Sequence, residues 1–375
     1  MIKILITGDF CPINRIQGLI DTSDYSKIFS DFLPVIKDSD ISVTNLECPL
    51  IENGKKIQKS GPNLKASKKS IEALTYAGFD LVTLANNHIM DYGNEGLAST
   101  IDSCNNSKID HVGVGLDFNE AKKPYYKVVN NSKIAFVNFC ENEWSTTVGN
   151  YPGANPLNPI SNFNQIKEAK LNADYVFVIV HGGHEHYQLP SPRMQETYRF
   201  FIDTGADAVI GHHTHCFSGY EMYNKKPIFY SLGNFVFDWP KKRNSLWNKG
   251  YAVQFTIDKE EINFTLYPYT QGEQDQSLGV KLMDDSCKKS FLNEIALLNK
   301  QISKPKIIEE KFNNYTNKHQ RQYYSSLEPY SNRYLTALYN RKLLPTFLSK
   351  SKRKLMLNVI RCEAHRDVLI KILNQ

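Results

Sequence analysis

The sequence of 375 residues lacks any run of the roughly 20 apolar residues that a membrane-spanning helix needs. Its first apolar stretch, residues 2–7, is too short for a signal peptide and precedes no small-residue cleavage site, so we expect a buried strand there instead. From these two absences we predict a cytoplasmic protein with no membrane span.

The seven cysteines stand singly along the chain, and none forms a CxxC pair. Their odd number and wide spacing argue against a disulfide framework and against a structural zinc knuckle. We expect most of them to be small buried residues. Internal repeats and low-complexity segments are also missing, and 41% hydrophobic with 22% charged residues is the composition of an ordinary globular protein.

The formal net charge of +6 is unevenly distributed. Residues 281–375 contain 19 Lys and Arg against 8 Asp and Glu, whereas residues 1–280 contain 26 against 31. We therefore predict a main domain over residues 1–270 and a basic, mainly helical region over residues 271–375. A solvated helical face is the simplest interpretation of that region, and an anionic lipid surface is an alternative partner. Nucleic acid is not expected, because no aromatic-interleaved basic motif is present.

Short apolar, β-branched runs alternate with stretches of helical periodicity through the first 230 residues. This alternation predicts an α/β fold with a largely buried sheet. The predicted strands are 2–7, 41–45, 81–84, 134–139, 175–180, 208–210 and 228–231, and the clearest predicted helices are 67–77, 95–104 and 194–204. A β-hairpin is predicted over 251–257 and 262–267, and amphipathic helices over 291–298 and 359–373.

Nearly every predicted strand of the main domain ends in a side chain able to bind a metal ion. Ligands bind at the carboxyl ends of strands in an α/β sheet, because the connecting loops open a crevice there. Five strand ends carrying Asp, Glu, Asn and His should therefore converge on one site. The residues at these ends are Asp9, Asn45, Glu47, Asn86, Asn87, His88, Asp91, His181, His184, Glu185, His212, His213 and His215.

Carboxylate, amide and imidazole ligands together suit divalent ions such as Mn²⁺, Fe²⁺ or Zn²⁺. A single histidine at a strand end is more often structural than a ligand, but five strand ends with the same feature weaken that alternative. The candidate ligands outnumber the needs of one four-coordinate ion, so two ions sharing a bridging carboxylate fit better. Such a pair, roughly 3.5–4 Å apart, clamps an oxyanion and lowers the pKa of a bridging water to about 7.

Six motifs follow one another in order along the main domain. They are Gly8-Asp9, Asn45-Leu46-Glu47-Cys48-Pro49, Ala85-Asn86-Asn87-His88-Ile89-Met90-Asp91-Tyr92-Gly93, His181-Gly182-Gly183-His184-Glu185, Gly211-His212-His213-Thr214-His215 and Tyr230-Ser231-Leu232-Gly233-Asn234-Phe235-Val236-Phe237-Asp238. Together they resemble the CapA family, which is associated with poly-γ-glutamate capsule synthesis and belongs to the calcineurin-like metallophosphoesterase superfamily. The resemblance covers roughly residues 1–270 and implies a metallophosphoesterase-like αββα sandwich, followed here by a C-terminal helical extension.

The resemblance also implies a role for each matching residue. The six implied metal ligands are Asp9 and His215 for the first ion, Glu47 as the bridge, and Asn87, His181 and His213 for the second ion. The three implied catalytic residues are His88 as general acid or oxyanion stabiliser, Asp91 to orient His88, and Glu185 as a further acid or base. Asp91 is equally compatible with a helix N-cap before Gly93, and Glu185 with support of a ligand. His184 and His212 are expected to be structural or to support the ligands.

One residue departs from the superfamily pattern, in which a histidine usually lies two residues after the first aspartate. This chain has Cys11 at that position. A thiolate there would favour softer ions. The simpler expectation is a buried thiol and a loosely held first ion, which would weaken ordinary phosphatase activity.

The resemblance implies a metal-dependent hydrolase or transferase acting at a phosphoryl or amide-type centre of an anionic polymer or peptide-like substrate. An epimerase using the same site is an alternative, in which His88 or Glu185 moves a Cα proton. A third possibility is a non-catalytic accessory protein whose basic C-terminal region binds a capsule-synthesis partner. The intact His88 and the pair formed by His213 and His215 argue against a dead site.

Overall fold

The computed structural model describes residues 1–147, 149–259, 261–274, 278–330 and 332–373. It divides the chain into two compact units, Met1–Ile308 and Glu309–Gln375. The division lies beyond the boundary predicted from the charge distribution. The reason is that the helix Asp285–Ile302 buries Phe291 and Ile295 in the core of the first unit.

Two large sheets and one small sheet form in the first unit, from strands that are mostly short and apolar. The strands are β1 (Ile2–Phe10), β2 (Ile41–Leu46), β3 (Leu81–Thr83), β4 (Asp110–Val112), β5 (Val114–Gly115), β6 (Tyr125–Val129), β7 (Ser132–Cys140), β8 (Gly153–Ala154), β9 (Tyr175–His181), β10 (Ala208–His212), β11 (Tyr220–Tyr223), β12 (Lys226–Phe229), β13 (Asn234–Val236), β14 (Lys249–Asp258), β15 (Glu261–Gln271) and β16 (Val280–Leu282).

The helices connect these strands in the first unit and make up most of the second. The helices are α1 (Arg15–Asp21), α2 (Tyr25–Phe29), α3 (Leu33–Lys37), α4 (Ser70–Ala77), α5 (Gly93–Asn106), α6 (Phe118–Ala121), α7 (Pro159–Asn172), α8 (Pro192–Thr204), α9 (Asp285–Ile302), α10 (Pro305–Ser325), α11 (Arg333–Asn340), α12 (Lys350–Arg361) and α13 (Glu363–Leu373). Short polar caps fix several of their starts, such as Asn158 before α7 and Ser191 before α8.

The first large sheet has the strand order β16-β15-β14-β1-β2-β3-β4, with β13 also paired to β1. Strands β1 to β4 are parallel, whereas β14 joins β1 in the antiparallel direction. The second large sheet has the order β11-β12-β10-β9-β7-β6, and β7, β9, β10 and β12 are parallel. Each sheet therefore brings the carboxyl ends of several parallel strands to one edge.

The two large sheets face each other across a common apolar core. Side chains from β1, β2 and β14 pack there against side chains from β7, β9 and β10. Phe177 of β9 and Phe255 of β14, for example, have ring centroids 5.0 Å apart. Helices α1 to α5 cover the outer face of the first sheet, and α7 and α8 cover that of the second. The predicted α/β fold with an αββα layering is confirmed.

The predicted strands form where expected, and most extend a few residues further. The hairpin of β14 and β15 is confirmed and runs in continuous antiparallel register from Asp258 paired with Glu261 to Lys249 paired with Thr270. Glu260, in the predicted hairpin turn, lies outside the described residues. The prediction of one helix over 359–373 is wrong, because the backbone at Cys362 is extended and separates α12 from α13.

The second unit is a small helical body with few fully buried side chains. The ring of Tyr339 is buried and lies 4.1 Å beneath the Arg321 guanidinium. The carboxylate of Glu328 accepts hydrogen bonds from the Thr346 hydroxyl and the Phe347 amide, which ties the loop after α11 back to the end of α10. Over the described part of the chain, no helix combines the length and apolar character needed to cross a membrane.

Candidate metal centre

Strand register brings the polar strand ends of the first unit together. Asp9 of β1 pairs with Asn45 of β2, and His181 of β9 pairs with His212 of β10. The close approach at the end of β1 requires Gly8, since a Cβ there would lie 1.9 Å from the carbonyl oxygen of Gly233. Strand register and the close backbone approach at Gly8 therefore determine which side chains reach the centre.

Asp9, Glu47 and His215 form a first cluster of candidate metal ligands, with one ligand atom of each lying within 4.8 Å of the others. Nε2 of His215 is 3.6 Å from Oε1 of Glu47, and Nδ1 of His215 is 4.0 Å from Oδ2 of Asp9. All three side chains are buried. Two carboxylates and one imidazole are a donor set that divalent transition metals accept.

Glu47, His181 and His213 form a second cluster by the same criterion. Nε2 of His181 lies 3.7 Å from Oε1 of Glu47, 3.1 Å from Nδ1 of His213 and 3.1 Å from Oδ1 of Asn87. The amide oxygen of Asn87 therefore points into the same cluster. Glu47 belongs to both clusters, which is the position that a bridging carboxylate requires.

The carboxylate of Glu47 is fully buried, and neither oxygen has a hydrogen-bond partner among the described residues. Burial, followed by repulsion from Asp9 and Glu185, raises the pKa of Glu47 well above its ordinary value. A buried carboxylate without a donor is costly unless a cation neutralises it. The residues present therefore fit a metal centre.

Two of the candidate histidine ligands, His181 and His215, are held in the neutral form that metal binding needs. Burial is the main cause that lowers the pKa of His181 well below its ordinary value, with further repulsion from His213. Burial likewise lowers the pKa of His215 to about 4, although the charge of Asp9 opposes this shift. Neutral imidazoles present free lone pairs to a cation at neutral pH.

Neighbouring side chains orient the ligands from outside the two clusters. Nδ1 of His212 lies 3.0 Å from Oδ1 of Asp9, and the amide of Asn45 donates to the same oxygen at 2.8 Å. Nδ1 of His215 lies 2.9 Å from Oδ1 of Asn234. Burial alone would raise the pKa of Asp9, but the His212 contact and the nearby imidazoles lower it, so Asp9 stays charged. His212 thus contacts a candidate ligand and belongs to neither cluster, a position compatible with a structural role and with support of Asp9.

The backbone of the loop after β10 is strained at two of the candidate ligands. His213 has φ of 90° and His215 has φ of 55°, in the left-handed region that non-glycine residues rarely adopt. The amide of His213 also donates to Oδ2 of Asp9 at 3.3 Å. Backbone strain of this kind persists where the surrounding structure enforces it, as in binding sites.

His88 lies beside the second cluster in a buried hydrogen-bonded group. Its Nδ1 is 2.7 Å from Oδ2 of Asp91, and Oδ1 of Asp91 forms an ion pair with Lys59. The Leu64 amide donates to Asp91 as well, at 2.6 Å. Burial lowers the pKa of His88, and the contact with Asp91 opposes this shift. The alternative of Asp91 as a helix N-cap is wrong, because Tyr92 precedes α5 and no side chain caps that helix.

Glu185 lies on the exposed segment that follows β9, outside both ligand clusters. Partial burial of its carboxylate would raise its pKa, but the electrostatic influence of the nearby His215 and His213 rings lowers it. Glu185 is therefore close enough to the centre for its pKa to be shifted by the candidate ligands, and it is accessible from solvent. This position is compatible with both interpretations of Glu185, as an acid or base and as support of a ligand.

Cys11 is fully buried and belongs to neither ligand cluster among the described residues. Burial and a contact with the Cys48 thiol raise the pKa of Cys11 well above its ordinary value, so the thiol stays protonated. The structure thus places Cys11 as a buried thiol. All seven cysteines are free, and five of them are buried.

Sequence reasoning missed two residues of the site. Lys59, whose side chain is only 2% exposed, comes from the polar segment 52–60, which contains three lysines that nothing in the sequence pattern distinguishes. Glu143 accepts a hydrogen bond from the Asn87 amide at 3.2 Å and lies 4.0 Å from Nε2 of His213. Because Glu143 follows the predicted strand at 134–139, the strand-end pattern could have found it.

The loop after β13 is held in place by Asp238, the last residue of the sixth motif. Its buried carboxylate binds the guanidinium groups of Arg15, at 2.9 Å, and of Arg243, at 2.8 Å. Trp247, which the same loop region contributes, lies 4.5 Å from the ring of His215 between centroids. The salt bridges therefore stabilise the loop region whose Trp247 ring packs against the candidate ligand His215.

Comparison with known proteins gives a family match and several relatives. The family model described as "Bacterial capsule synthesis protein PGA_cap" matches residues 3–239. The chain is 34% identical over 255 residues to the capsule biosynthesis protein CapA of Bacillus anthracis, which covers 65% of this chain and 62% of the relative. It is 35% identical over 259 residues to the PGA biosynthesis protein CapA of Bacillus subtilis, which covers 67% of each chain.

More distant similarities were also found. A probable polyglutamine synthesis accessory protein of Mycobacterium tuberculosis is 25% identical over 249 residues, which covers 62% of this chain and 66% of that protein. A solved structure of a hypothetical protein from Thermus thermophilus aligns with a TM-score of 0.45 and 16% identity, over 72% of this chain and 99% of that chain. The region of the Bacillus anthracis relative that aligns with this chain is 62% of its length, which is less than two thirds of that protein.

Proposed function

Because the chain belongs to the bacterial capsule synthesis protein family PGA_cap, we propose that it acts in the synthesis or processing of a capsule-related polymer such as poly-γ-glutamate. The resemblance to the CapA family predicted from the six motifs is confirmed by this match and by the relatives in Bacillus. We further propose a metal-dependent hydrolase or transferase that uses two divalent ions, Mn²⁺, Fe²⁺ or Zn²⁺, at the centre around Glu47.

The observation that carries the proposal is the shared and unpartnered carboxylate of Glu47. Asp9, Glu47 and His215 would hold one ion, and Glu47, His181, His213 and Asn87 the other. Two ions bound there would supply Lewis-acid activation of a phosphoryl or carbonyl oxygen and of water. His212, Asn45 and Asn234 would keep the ligands oriented through the contacts they already make.

His88 would act as the general acid that donates a proton to the leaving oxygen in this reaction. The 2.7 Å separation from Asp91 requires a shared proton, so Nδ1 carries the hydrogen and Nε2 of the neutral ring has the free lone pair. An anionic substrate oxygen beside the ring favours its protonated form, which then donates to the leaving oxygen. Asp91 would stabilise that charged ring, and Lys59 would balance the charge of Asp91.

A cavity of about 810 Å³ offers room for an extended, amide-containing substrate, and none of the candidate ligands lines it. Its link to the site is the lining residue Leu64, whose amide donates to Asp91. The lining combines apolar side chains with the amides of Asn14, Gln17 and Asn63, and its two lysines, Lys65 and Lys241, are balanced by Asp21 and Glu52. Amides recognise a peptide-like backbone, so the size and the amides of this cavity suit a peptide-like chain.

A non-catalytic accessory role is the second candidate, and a specific observation favours it. The protonated thiol of Cys11 is absent from the first cluster, which leaves Asp9, Glu47 and His215 as its three candidate ligands from the His, Cys, Asp and Glu side chains described. Weak binding of that ion would reduce turnover. The relatives from Mycobacterium tuberculosis carry the name of accessory proteins.

Turnover by metal-loaded protein separates the two candidates. The purified chain is loaded with Mn²⁺, Fe²⁺ or Zn²⁺ and tested on bis(p-nitrophenyl) phosphate and on γ-glutamyl oligopeptides, in ordinary water and in D₂O. Hydrolysis or transfer that Glu47→Gln abolishes and the exposed Glu196→Gln retains supports the enzyme. Deuterium at Cα without cleavage indicates an epimerase. Full metal binding without any turnover of these substrates supports the accessory role.

A further inference from the structure

The end of the second unit presents an apolar surface that the described part of the chain leaves uncovered. Helices α12 and α13 contact each other, and Asn358 and His365 approach to 3.3 Å between them. Eight large apolar side chains on the two helices are nevertheless 39–74% exposed. These side chains are Leu355, Leu357, Ile360, Val368, Leu369, Ile370, Ile372 and Leu373.

The apolar residues lie on one side of each helix. At 100° per residue, Leu355, Met356, Leu357, Val359 and Ile360 span one arc of α12, and Lys350, Lys354 and Arg361 lie on the opposite side. Lys352 and Arg353 lie on the apolar arc, in the first turn of the helix, where they border its N-terminal end. Helix α13 repeats the same arrangement with its Val, Leu and Ile residues. A contiguous apolar patch of this kind is unusual on a monomeric protein in water and marks a surface that binds something.

The charge around this patch indicates what binds. Helix α12 contains five Lys and Arg and no Asp or Glu, whereas α13 contains Glu363 and Asp367 together with Arg366 and Lys371. Lys350, Lys352 and Lys354 are exposed, and among the described residues none of them forms an ion pair. An apolar helix face bordered by unpaired cations matches the interfacial region of a bilayer with anionic headgroups, where apolar side chains enter the acyl boundary and lysines reach the phosphates.

The length of the helices defines the mode of contact. Helix α12 has 12 residues, which at 1.5 Å per residue is about 18 Å, far short of the roughly 30 Å of a hydrocarbon core. A helix of this length lies in the plane of the surface. From the exposed apolar face and the acid-free cationic border of α12, we propose that α12 and α13 attach this protein peripherally to a membrane surface containing anionic phospholipids.

A protein partner and a second copy of the chain are the competing occupants of the same patch. An apolar patch made for a specific protein is expected to carry mixed charges at its rim, because charge complementarity sets partner choice. If two copies of the chain paired through this patch, the cations of α12 in one copy would face those of the other and repel them. The α12 side of the patch carries only cations, and the two acidic residues of α13 are balanced by Arg366 and Lys371, so the patch as a whole is strongly positive, which favours an anionic surface.

Vesicle co-sedimentation of the full chain tests the proposal. Vesicles of phosphatidylcholine alone are compared with vesicles of phosphatidylcholine and phosphatidylglycerol, at low and at physiological ionic strength. We expect partitioning onto the anionic vesicles that weakens with salt. The triple variant Lys350→Gln/Lys352→Gln/Lys354→Gln should partition about 100-fold less, since each cation near an anionic surface contributes about fivefold.

Matched controls make the result specific to this surface. Lys288→Gln/Lys289→Gln/Lys306→Gln removes the same charge from exposed lysines outside α12 and α13 and should partition like the unchanged protein. Leu357→Ser/Ile360→Ser should weaken partitioning at unchanged net charge. Circular dichroism establishes that each variant keeps its helix content.

Three outcomes would overturn the proposal. They are no binding to anionic vesicles at low ionic strength, equal loss in both lysine triples, and a dimer in sedimentation equilibrium that Leu357→Ser/Ile360→Ser converts to monomer. The last outcome would assign the patch to a second copy. Binding of anionic vesicles that depends on both the lysines and the apolar residues would support the membrane surface.

Discussion

Nδ1 of His88 lies 2.7 Å from Oδ2 of Asp91, and both side chains are buried. Because a carboxylate only accepts, this contact assigns the ring hydrogen to Nδ1, and in the proposed reaction Nε2 is the nitrogen that would face a substrate. It also links the candidate catalytic residue to the loop that carries Lys59, because the same carboxylate forms an ion pair with that lysine. Substitutions in this group therefore test both the proposed chemistry and the stability of the loop that carries Lys59.

Replacement of His88 should separate catalysis from metal binding. We expect His88→Asn to lower kcat on a phosphodiester or γ-glutamyl substrate by about 10²–10⁴-fold, because a positioned proton donor contributes that much. The metal content should not change, since His88 belongs to neither ligand cluster. Steady-state kinetics and elemental analysis measure the two effects. The control is His111→Asn, on β4, and an equal loss of kcat in both variants would contradict the role of His88.

Replacement of the shared carboxylate should change the metal content. We expect about two equivalents of divalent metal in the loaded protein, falling to one or none in Glu47→Gln and in His213→Ala. Elemental analysis after gel filtration measures the ratio. His111→Ala should retain the full content. A ratio that is the same in all four proteins would contradict the assignment of Glu47 and His213 as ligands.

Glu47 should also determine how the unfolding free energy of the metal-free protein depends on pH. The pKa of Glu47 is raised in the folded state, so the unfolded chain loses this proton first and stability falls as pH rises above 4.5, its ordinary value. In Glu47→Gln this fall should be smaller, with a gain of about 1–3 kcal/mol at pH 8 from the removed unpartnered charge. Urea unfolding with a chelator present, beside the control Glu196→Gln, measures the difference.

The ion pair of Lys59 and Asp91 should be a buried structural requirement. Lys59→Met leaves the buried Asp91 charge without its cation and should cost about 3–5 kcal/mol of unfolding free energy. Asp91→Asn in the same chain should recover most of that loss. A urea double-mutant cycle measures the coupling, and Lys56→Met, at an exposed lysine of the same loop, should change stability little. Equal costs for the two lysines would rule out a specific pair.

The carboxylate of Asp238 should stabilise the fold only while it is ionised. Burial would raise its pKa, but hydrogen bonds from Arg243 and Arg15 lower it below the ordinary value of 3.8. Its contribution is therefore present above pH 3.8 and is lost as pH falls through the folded pKa. Asp238→Asn should cost about 1–3 kcal/mol at pH 7 and progressively less at more acidic pH. Urea unfolding against the exposed control Asp102→Asn tests this trend.

Much of the candidate site was predictable because it follows from strand ends. The apolar runs ending at Asp9, Glu47 and His181 predicted parallel strands, and parallel strands deliver their carboxyl ends to one edge. The break between α12 and α13 was not predictable, since residues 359–373 keep a helical apolar period across Cys362. Propensity alone does not show where a chain bends.

The sequence by itself determined the layered α/β architecture, the chemical types of the candidate ligands and the family, because local patterns and motif order encode these. Only the tertiary structure decided that Glu47 is shared by two clusters, that Cys11 stays outside them and that Lys59 neutralises Asp91. These relationships join residues distant along the chain. They depend on strand register and loop packing, which no local pattern specifies.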